Sequence, residues 1–169
     1  EPDELILSTL PVNTTCGNTN GEIHTLVTGG TGIIQYSINS GTSYQFTGTF
    51  INLTQGNYSV IISDANGCTA TAASIIHNIP GPLVSTIPVS NSTCNNSDDG
   101  SFTVQLTGGT GPFQYSINGG TTSQMLNYFG NLSPGTYLIH VTDANGCVAN
   151  SSAQISEPVA LTISNTFTG

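Results

Sequence analysis

Lysine and arginine are absent from all 169 residues, and so is tryptophan. Nine carboxylates and three histidines remain, giving a formal net charge of −9. Without a permanent cation the chain cannot bind nucleic acid by neutralising phosphates and releasing counterions. Anionic membrane surfaces are disfavoured on the same ground. No Lys/Arg salt bridge can form, no Lys–Asn isopeptide bond can lock a domain, and trypsin-like proteases find no site. Long apolar runs are missing too: nothing approaches the roughly 20 residues of a membrane span, so direct membrane insertion is not expected. No signal peptide is recognisable. Solubility rests on Ser, Thr, Asn, Gln and Gly, a composition suited to an extended polymer outside the cell.

What is present is repetition. Gly29-Gly30-Thr31-Gly32-Ile33-Ile34-Gln35-Tyr36-Ser37-Ile38-Asn39 returns 79 positions later as Gly108-Gly109-Thr110-Gly111-Pro112-Phe113-Gln114-Tyr115-Ser116-Ile117-Asn118. Asp64-Ala65-Asn66-Gly67-Cys68 returns as Asp143-Ala144-Asn145-Gly146-Cys147, and Asn13-Thr14-Thr15-Cys16 as Asn91-Ser92-Thr93-Cys94. Glu157-Pro158 with Leu161 matches Glu1-Pro2 with Leu5. The expected organisation is a repeat over 1–78, a second over 79–156, and the first strand of a third over 157–169. The chain reads as a window of a longer tandem array.

Modules of this size bury a modest core and are marginal without help. Each contains one cysteine pair. The pairing that is identical in both repeats is Cys16–Cys68 and Cys94–Cys147, closing loops of 52 and 53 positions. Loops of that length would gain about 4 kcal/mol at most. No CxxC or Cys/His spacing suggests zinc, and disulfides imply an oxidising compartment. At the junction His77-Asn78-Ile79-Pro80-Gly81-Pro82, proline restriction rather than metal offers stiffness.

Short alternating runs between turn residues predict strands throughout, with no helical period. Leu5-Ile6-Leu7 and Leu83-Val84 open the repeats. Phe102, Val104 and Leu106 (Ile23, Thr25 and Val27 in the first copy) face inward. So do Tyr58-Val60-Ile62 and Tyr137-Ile139-Val141. Residues 44–53 and 123–132 diverge most and are expected to form a lateral strand and loop. Six or seven strands in 78 residues predict an all-β chain of two tandem immunoglobulin/PKD-like β-sandwich modules, each with one intramodule disulfide.

The motifs Leu-x-x-Gly-x-Tyr and Thr/Ser-Asp-Ala-Asn-Gly-Cys, with Thr93-Cys94, Asp99-Gly100-Ser101, Gly108-Gly109-Thr110-Gly111-Pro112 and Tyr115-Ser116, together resemble the SprB repeat. That repeat builds giant cell-surface proteins of the Bacteroidetes, including a gliding-motility adhesin. Ile38 and Ile117 stand where family members commonly carry Trp. The resemblance implies secretion, display at the cell surface, and a place in an adhesive filament. The expected partners are neighbouring repeats of the same chain or fibre.

Other candidates weigh against this structural reading. Asp64 and Asp143 could ligate calcium, but one carboxylate per turn suits backbone capping better. Asp98 and Asp99 lie in the densest oxygen cluster, a weaker calcium candidate than an exposed polar loop. His24, His77 and His140 occupy non-equivalent positions and pair with no nucleophile common to both copies, so no catalysis and no cofactor are expected. Seven Asn-x-Ser/Thr sequons, at Asn13, Asn52, Asn57, Asn91, Asn95, Asn131 and Asn150, would accept glycan in a source that glycosylates asparagine. The rival function is a ligand-binding module whose Tyr44, Phe46, Tyr128 and Phe129 stack on surface glycans. A third is a PKD-like spacer of a secreted enzyme.

Overall fold

The chain divides into two compact units, Glu1–Pro80 and Gly81–Gly169. The structure, a computed structural model, describes residues 3–163. The first unit contains β1 (Ile6–Val12), β2 (Thr14–Thr15), β3 (Gly21–Thr28), β4 (Gln35–Ser37), β5 (Thr49–Leu53), β6 (Gly56–Ser63), β7 (Thr69–Ile76) and β8 (Asn78–Ile79). The second contains β9 (Pro82–Thr86), β10 (Val89–Ser90), β11 (Gly100–Thr103), β12 (Gln105–Gly108), β13 (Gln114–Ser116), β14 (Tyr128–Leu132), β15 (Gly135–Thr142) and β16 (Val148–Ile155). No helix occurs among the described residues, as the sequence pattern predicts.

In the first unit β1-β3-β5 form one antiparallel sheet and β4-β6-β7 another, while β2 runs parallel to β8. Inward residues of both sheets meet in one core: Ile23 from β3, Phe50 from β5, Val60 from β6 and Ile76 from β7, with Leu7, Tyr36 and Tyr58 against them. The chain changes sheet between β3 and β4, between β4 and β5, and between β5 and β6. That connectivity is a Greek key with the strand order of an immunoglobulin-type sandwich.

The second unit repeats the arrangement with its first sheet broken. β13-β15-β16 match β4-β6-β7, whereas β10-β11-β14 and β12-β9 share the role of β1-β3-β5. Pro88 lies in the gap between β9 and β10, where it has no N–H to give the ladder but its carbonyl accepts the Thr103 N–H at 3.2 Å. Opposite the break, Val104 leaves the strand pairing: its N–H donates to the Asn127 carbonyl at 2.8 Å, and Asn127 Nδ2 donates back to the Val104 carbonyl at 3.0 Å. The core is larger than in the first unit, centred on Phe102 with Phe129 and Tyr137, ring centroids 5.5 and 5.8 Å away.

Two local devices explain motifs that recur between the repeats. In Leu-x-x-Gly-x-Tyr, the Tyr58 hydroxyl donates to the Thr54 carbonyl at 2.9 Å, and Tyr137 does the same to Ser133 at 2.8 Å. This tyrosine-to-upstream-backbone bond ties down the turn where the chain crosses between sheets, a hallmark of immunoglobulin-like sandwiches. Asn52 and Asn131 have φ of 58° and 55°. In each repeat, two residues of β5 or β14 bulge against one of β3 or β11. Asparagine tolerates that left-handed backbone better than most side chains.

The expected disulfides are not formed. Cys68 and Cys94 are free thiols, whereas Cys16 and Cys147 are disulfide-bonded. Strand topology gives the reason. Cys16 follows β2, where its N–H donates to Ile79, beyond the last residue of β7. Cys68 immediately precedes Thr69, the first residue of β7. An eight-residue strand therefore separates them, roughly 24 Å, against the roughly 4–7 Å between Cα atoms that a disulfide allows. Cys94 and Cys147 are separated in the same way by the eight residues of β16. Neither unit contains a staple of its own.

Residues 157–163 form no strand, and Val159, Leu161 and Ile163 are almost fully exposed. The rest of the expected third-repeat strand, 164–169, lies outside the described residues.

Candidate functional site

The polar residues shared by both repeats converge on backbone, not on a cleft. Asp64 Oδ1 accepts the N–H groups of Asn66 at 2.9 Å and Cys68 at 2.8 Å, and Oδ2 accepts Thr31 at 3.0 Å. Asp143 takes Asn145, Cys147 and Thr110 at the same distances. Burial raises the Asp64 carboxyl, but the N–H donors of Cys68, Thr31 and Asn66 outweigh it and hold the group below the usual range. The buried Ser37 hydroxyl accepts from Asn39 and Gly41 and donates to Asn39 Oδ1; Ser116 repeats this with Asn118 and Gly120. These are turn locks.

Sequence reading missed one shared lock, within the segment that diverges most. Gln45 and Gln124 are 79 positions apart. Each bridges back to the core tyrosine, Tyr36 or Tyr115. Gln45 Nε2 donates to the carbonyls of Thr47 and Thr49 at 2.7 and 2.9 Å; Gln124 does so to Leu126 and Tyr128 at 2.7 and 2.8 Å. The repeat spacing was the available signal, hidden by the dissimilar residues around it.

Each glutamine holds a loop whose outward side chains differ between copies. Phe46 is 69% exposed and Tyr44 41%; in the second unit Met125, Leu126 and Tyr128 are 70, 73 and 56% exposed. Tyr44 also lines a shallow groove with Tyr36, Asn39 and Phe50. Phe129 does not belong with them. It is buried against Phe102, so it is core and not a stacking residue.

The acidic loop is likewise internally bonded. Asp99 accepts the hydroxyls of Ser97 and Thr93 and the Thr93 N–H at 3.1 Å. The Ser97 and Thr93 hydroxyls hold its carboxyl down to about 2, from an ordinary value of 3.8. Asp98 lies exposed beside it. Among the described residues, no group of three or more His, Cys, Asp or Glu side chains could hold a metal ion. Because the folded value of Asp99 lies below the unfolded one, its stabilisation is complete above pH 4–5 and is lost as pH falls towards 2. Urea unfolding of the second unit should therefore weaken across that window, and Asp99→Asn should flatten that part of the profile.

The sequons divide by role. Asn13 Oδ1 accepts the His77 N–H and Asn91 Oδ1 the Ser156 N–H, both at 3.0 Å, clamping the end of each unit. Asn52 and Asn131 occupy the bulges described above. Four of the seven sequon asparagines thus have a structural role. Asn57 is exposed, Asn95 Nδ2 donates to the Pro158 carbonyl at 3.2 Å, and Asn150 meets His140 Nδ1 at 2.8 Å. His24 pairs with Glu22 at 3.0 Å on the surface.

Residues 86–122 match the family profile of the SprB repeat. This bears out the resemblance carried by the Gly-Gly-Thr-Gly and Tyr-Ser motifs. SprB repeats occur in cell-surface adhesins, and the match supports a structural, non-enzymatic module of that type. No curated protein matches the chain. Among solved structures, a 282-residue C-terminal fragment of intimin, in complex with the intimin-binding domain of its translocated receptor, is 14% identical with a TM-score of 0.44. The alignment covers 90% of this chain and 64% of the intimin fragment. Murine CEACAM1b is 16% identical over 92% of this chain and all of its own, with a TM-score of 0.38. The eight N-terminal Ig domains of Down syndrome cell adhesion molecule give 14% identity, 89 and 23% coverage and a TM-score of 0.38. The fold assignment rests instead on strand order and the tyrosine bonds. No helix among the described residues is long and apolar enough to cross a membrane.

Proposed function

We propose that the chain is part of the stalk of a large secreted surface protein, in which repeats 1–78 and 79–156 and a third beginning at 157 project an adhesive or gliding filament from the cell. One observation carries this reading. The paired polar motifs, Asp64/Asp143, Ser37/Ser116, Gln45/Gln124, Tyr58/Tyr137 and Asn13/Asn91, all hold backbone in place. What is kept from repeat to repeat is therefore architecture, as a mechanical element requires. The natural partners are further repeats. Pulling the reduced chain from its two ends by optical tweezers should give two separate unfolding steps, each releasing roughly 25 nm, since about 80 residues extend at 3.3–3.6 Å apiece. Gradual extension without steps would sink the stalk reading.

The exposed Tyr44 and Phe46, with Met125, Leu126 and Tyr128 on the second repeat, favour a second reading in which these loops contact glycan or protein ligands. A variable apolar loop on a fixed glutamine lock suits recognition. Binding on a glycan array that disappears with Phe46→Ala would support it.

A further inference from the structure

The four cysteines occupy two kinds of position. Cys16 and Cys94 lie where the chain leaves a unit. The Cys16 N–H donates to Ile79 at 3.0 Å, and Cys94 shares a shallow groove with Pro158, Val159 and Leu161. Cys68 and Cys147 lie where the chain enters. Cys68 lines a groove with Asp3, Glu4 and Leu5. Gly81 packs so closely on Cys147 that a methyl there would come within 2.6 Å of its Cβ.

Each kind of position exists in both oxidation states. Cys16 and Cys147 are disulfide-bonded, while their repeat equivalents Cys94 and Cys68 are free and exposed. The entering pair matches locally, whereas the leaving pair matches only in part: Cys16 has φ of 58° and gives its N–H to the Ile79 carbonyl, and Cys94 gives its N–H to Ser97 Oγ at 3.4 Å. Cys68 and Cys147 have their N–H held by the same aspartate contact at 2.8 Å. Cys16 and Cys94 follow the same Asn clamp, from Asn13 and Asn91. What differs in both pairs is place in the chain. The bonded leaving cysteine is followed by another repeat, and the bonded entering cysteine is preceded by one.

We propose that Cys94 and Cys68 are halves of repeat-to-repeat disulfides: a leaving cysteine bonds the entering cysteine of the repeat that follows it. Cys94 would take the thiol of an Asp-Ala-Asn-Gly-Cys turn in a following repeat, and Cys68 the leaving thiol of a preceding one. Each link joins two thiols, which release two protons and two electrons; the electrons reduce the disulfide of an extracytoplasmic thiol oxidase to a dithiol. Each link would connect the exit of one repeat to the entry of the next in parallel with the polypeptide, and so would share its tension. A cysteine pair placed a strand apart, useless within a sandwich, is then suited to joining sandwiches end to end. The inference rests on the tandem-repeat part of the stalk reading and is independent of adhesion.

The test joins residues 1–156 to a second copy of 1–169, so that a leaving Cys94 precedes an entering Cys68 in the native register. The protein is refolded in oxidised and reduced glutathione, and the monomer is isolated by gel filtration. Alkylation and mass measurement then count free thiols, with peptic mapping at low pH because trypsin has no site. With four cysteines per copy, the link predicts two free thiols in the concatemer, Cys68 of the first copy and Cys94 of the second, and a Cys94–Cys68 peptide. Cys94→Ser in the first copy alone should raise the count to three. Four free thiols in the unsubstituted concatemer, or a Cys16–Cys68 peptide, would overturn the link. The stalk reading would survive that result if the reduced chain still unfolded in two steps under tension.

Discussion

Phe102→Ala should unfold most of the second unit's core. The side chain is 1% exposed and touches two other rings, Phe129 and Tyr137. Truncating a buried phenylalanine costs about 3–5 kcal/mol, part lost transfer energy and part cavity. A domain of this size has a total stability of about the same order. The expected result is a fall of roughly 15–30 °C in the melting temperature of that unit. Hydrogen exchange should show lost protection in β11, β14 and β15 first, because those strands contribute the three rings. Ile23→Ala, at the equivalent position of the first unit, should cost about 2–4 kcal/mol. It removes a smaller, unstacked side chain. A Phe102→Ala protein melting within a few degrees of the parent would show that the aromatic cluster is not the centre of the core.

That centre is legible in the amino-acid pattern alone, and the reason is the duplication. Phe102 and Val104 alternate with Ser101, Thr103 and Gln105, Ile139 and Val141 keep the same two-residue spacing, and that spacing recurs one repeat earlier at Ile23, Val60 and Ile62. The strand–turn order follows from it. Phe129 is misread by the same rule because β14 breaks the two-residue period. The bulge at Gly130-Asn131 turns Phe129 and Leu132, three positions apart, to the same side. Alternation counted back from Leu132 across that bulge puts Phe129 on the outer face, opposite to where it lies. The cysteines fail for another reason. Repetition tells which residues correspond, but not at which end of a strand each one lies. The pairing identical within each repeat is simple in sequence and impossible across the length of β7 or β16. A pairing that repeats from one module to the next is equally regular in sequence, and only strand direction separates the two.

Corresponding residues need not respond alike, and the Gly-Gly-Thr-Gly turn supplies the sharpest case. Gly29 and Gly108 have φ of 71° and 68°, so alanine at either is strained by about 1–2 kcal/mol. Their surroundings differ. A methyl on Gly29 would lie 1.9 Å from the Glu4 carbonyl oxygen, whereas one on Gly108 would lie 3.3 Å from that of Gly81. The first overlap is with backbone that cannot rotate aside. It sits next to the Gly30 N–H bond to the Asp3 carbonyl, at 3.1 Å, which seats the incoming segment ahead of β1. Relief requires that bond to break and the start of β1 to lift. Gly29→Ala should therefore cost about 3 kcal/mol or more, adding overpacking to backbone strain, and Gly108→Ala about 1–2 kcal/mol. Urea denaturation of the two variants measures both. Equal losses would mean that the left-handed backbone alone fixes glycine at this turn. The larger loss at Gly29 would show that close packing of the incoming segment holds it there as well, and that two nearly identical repeats meet their first strand on different terms.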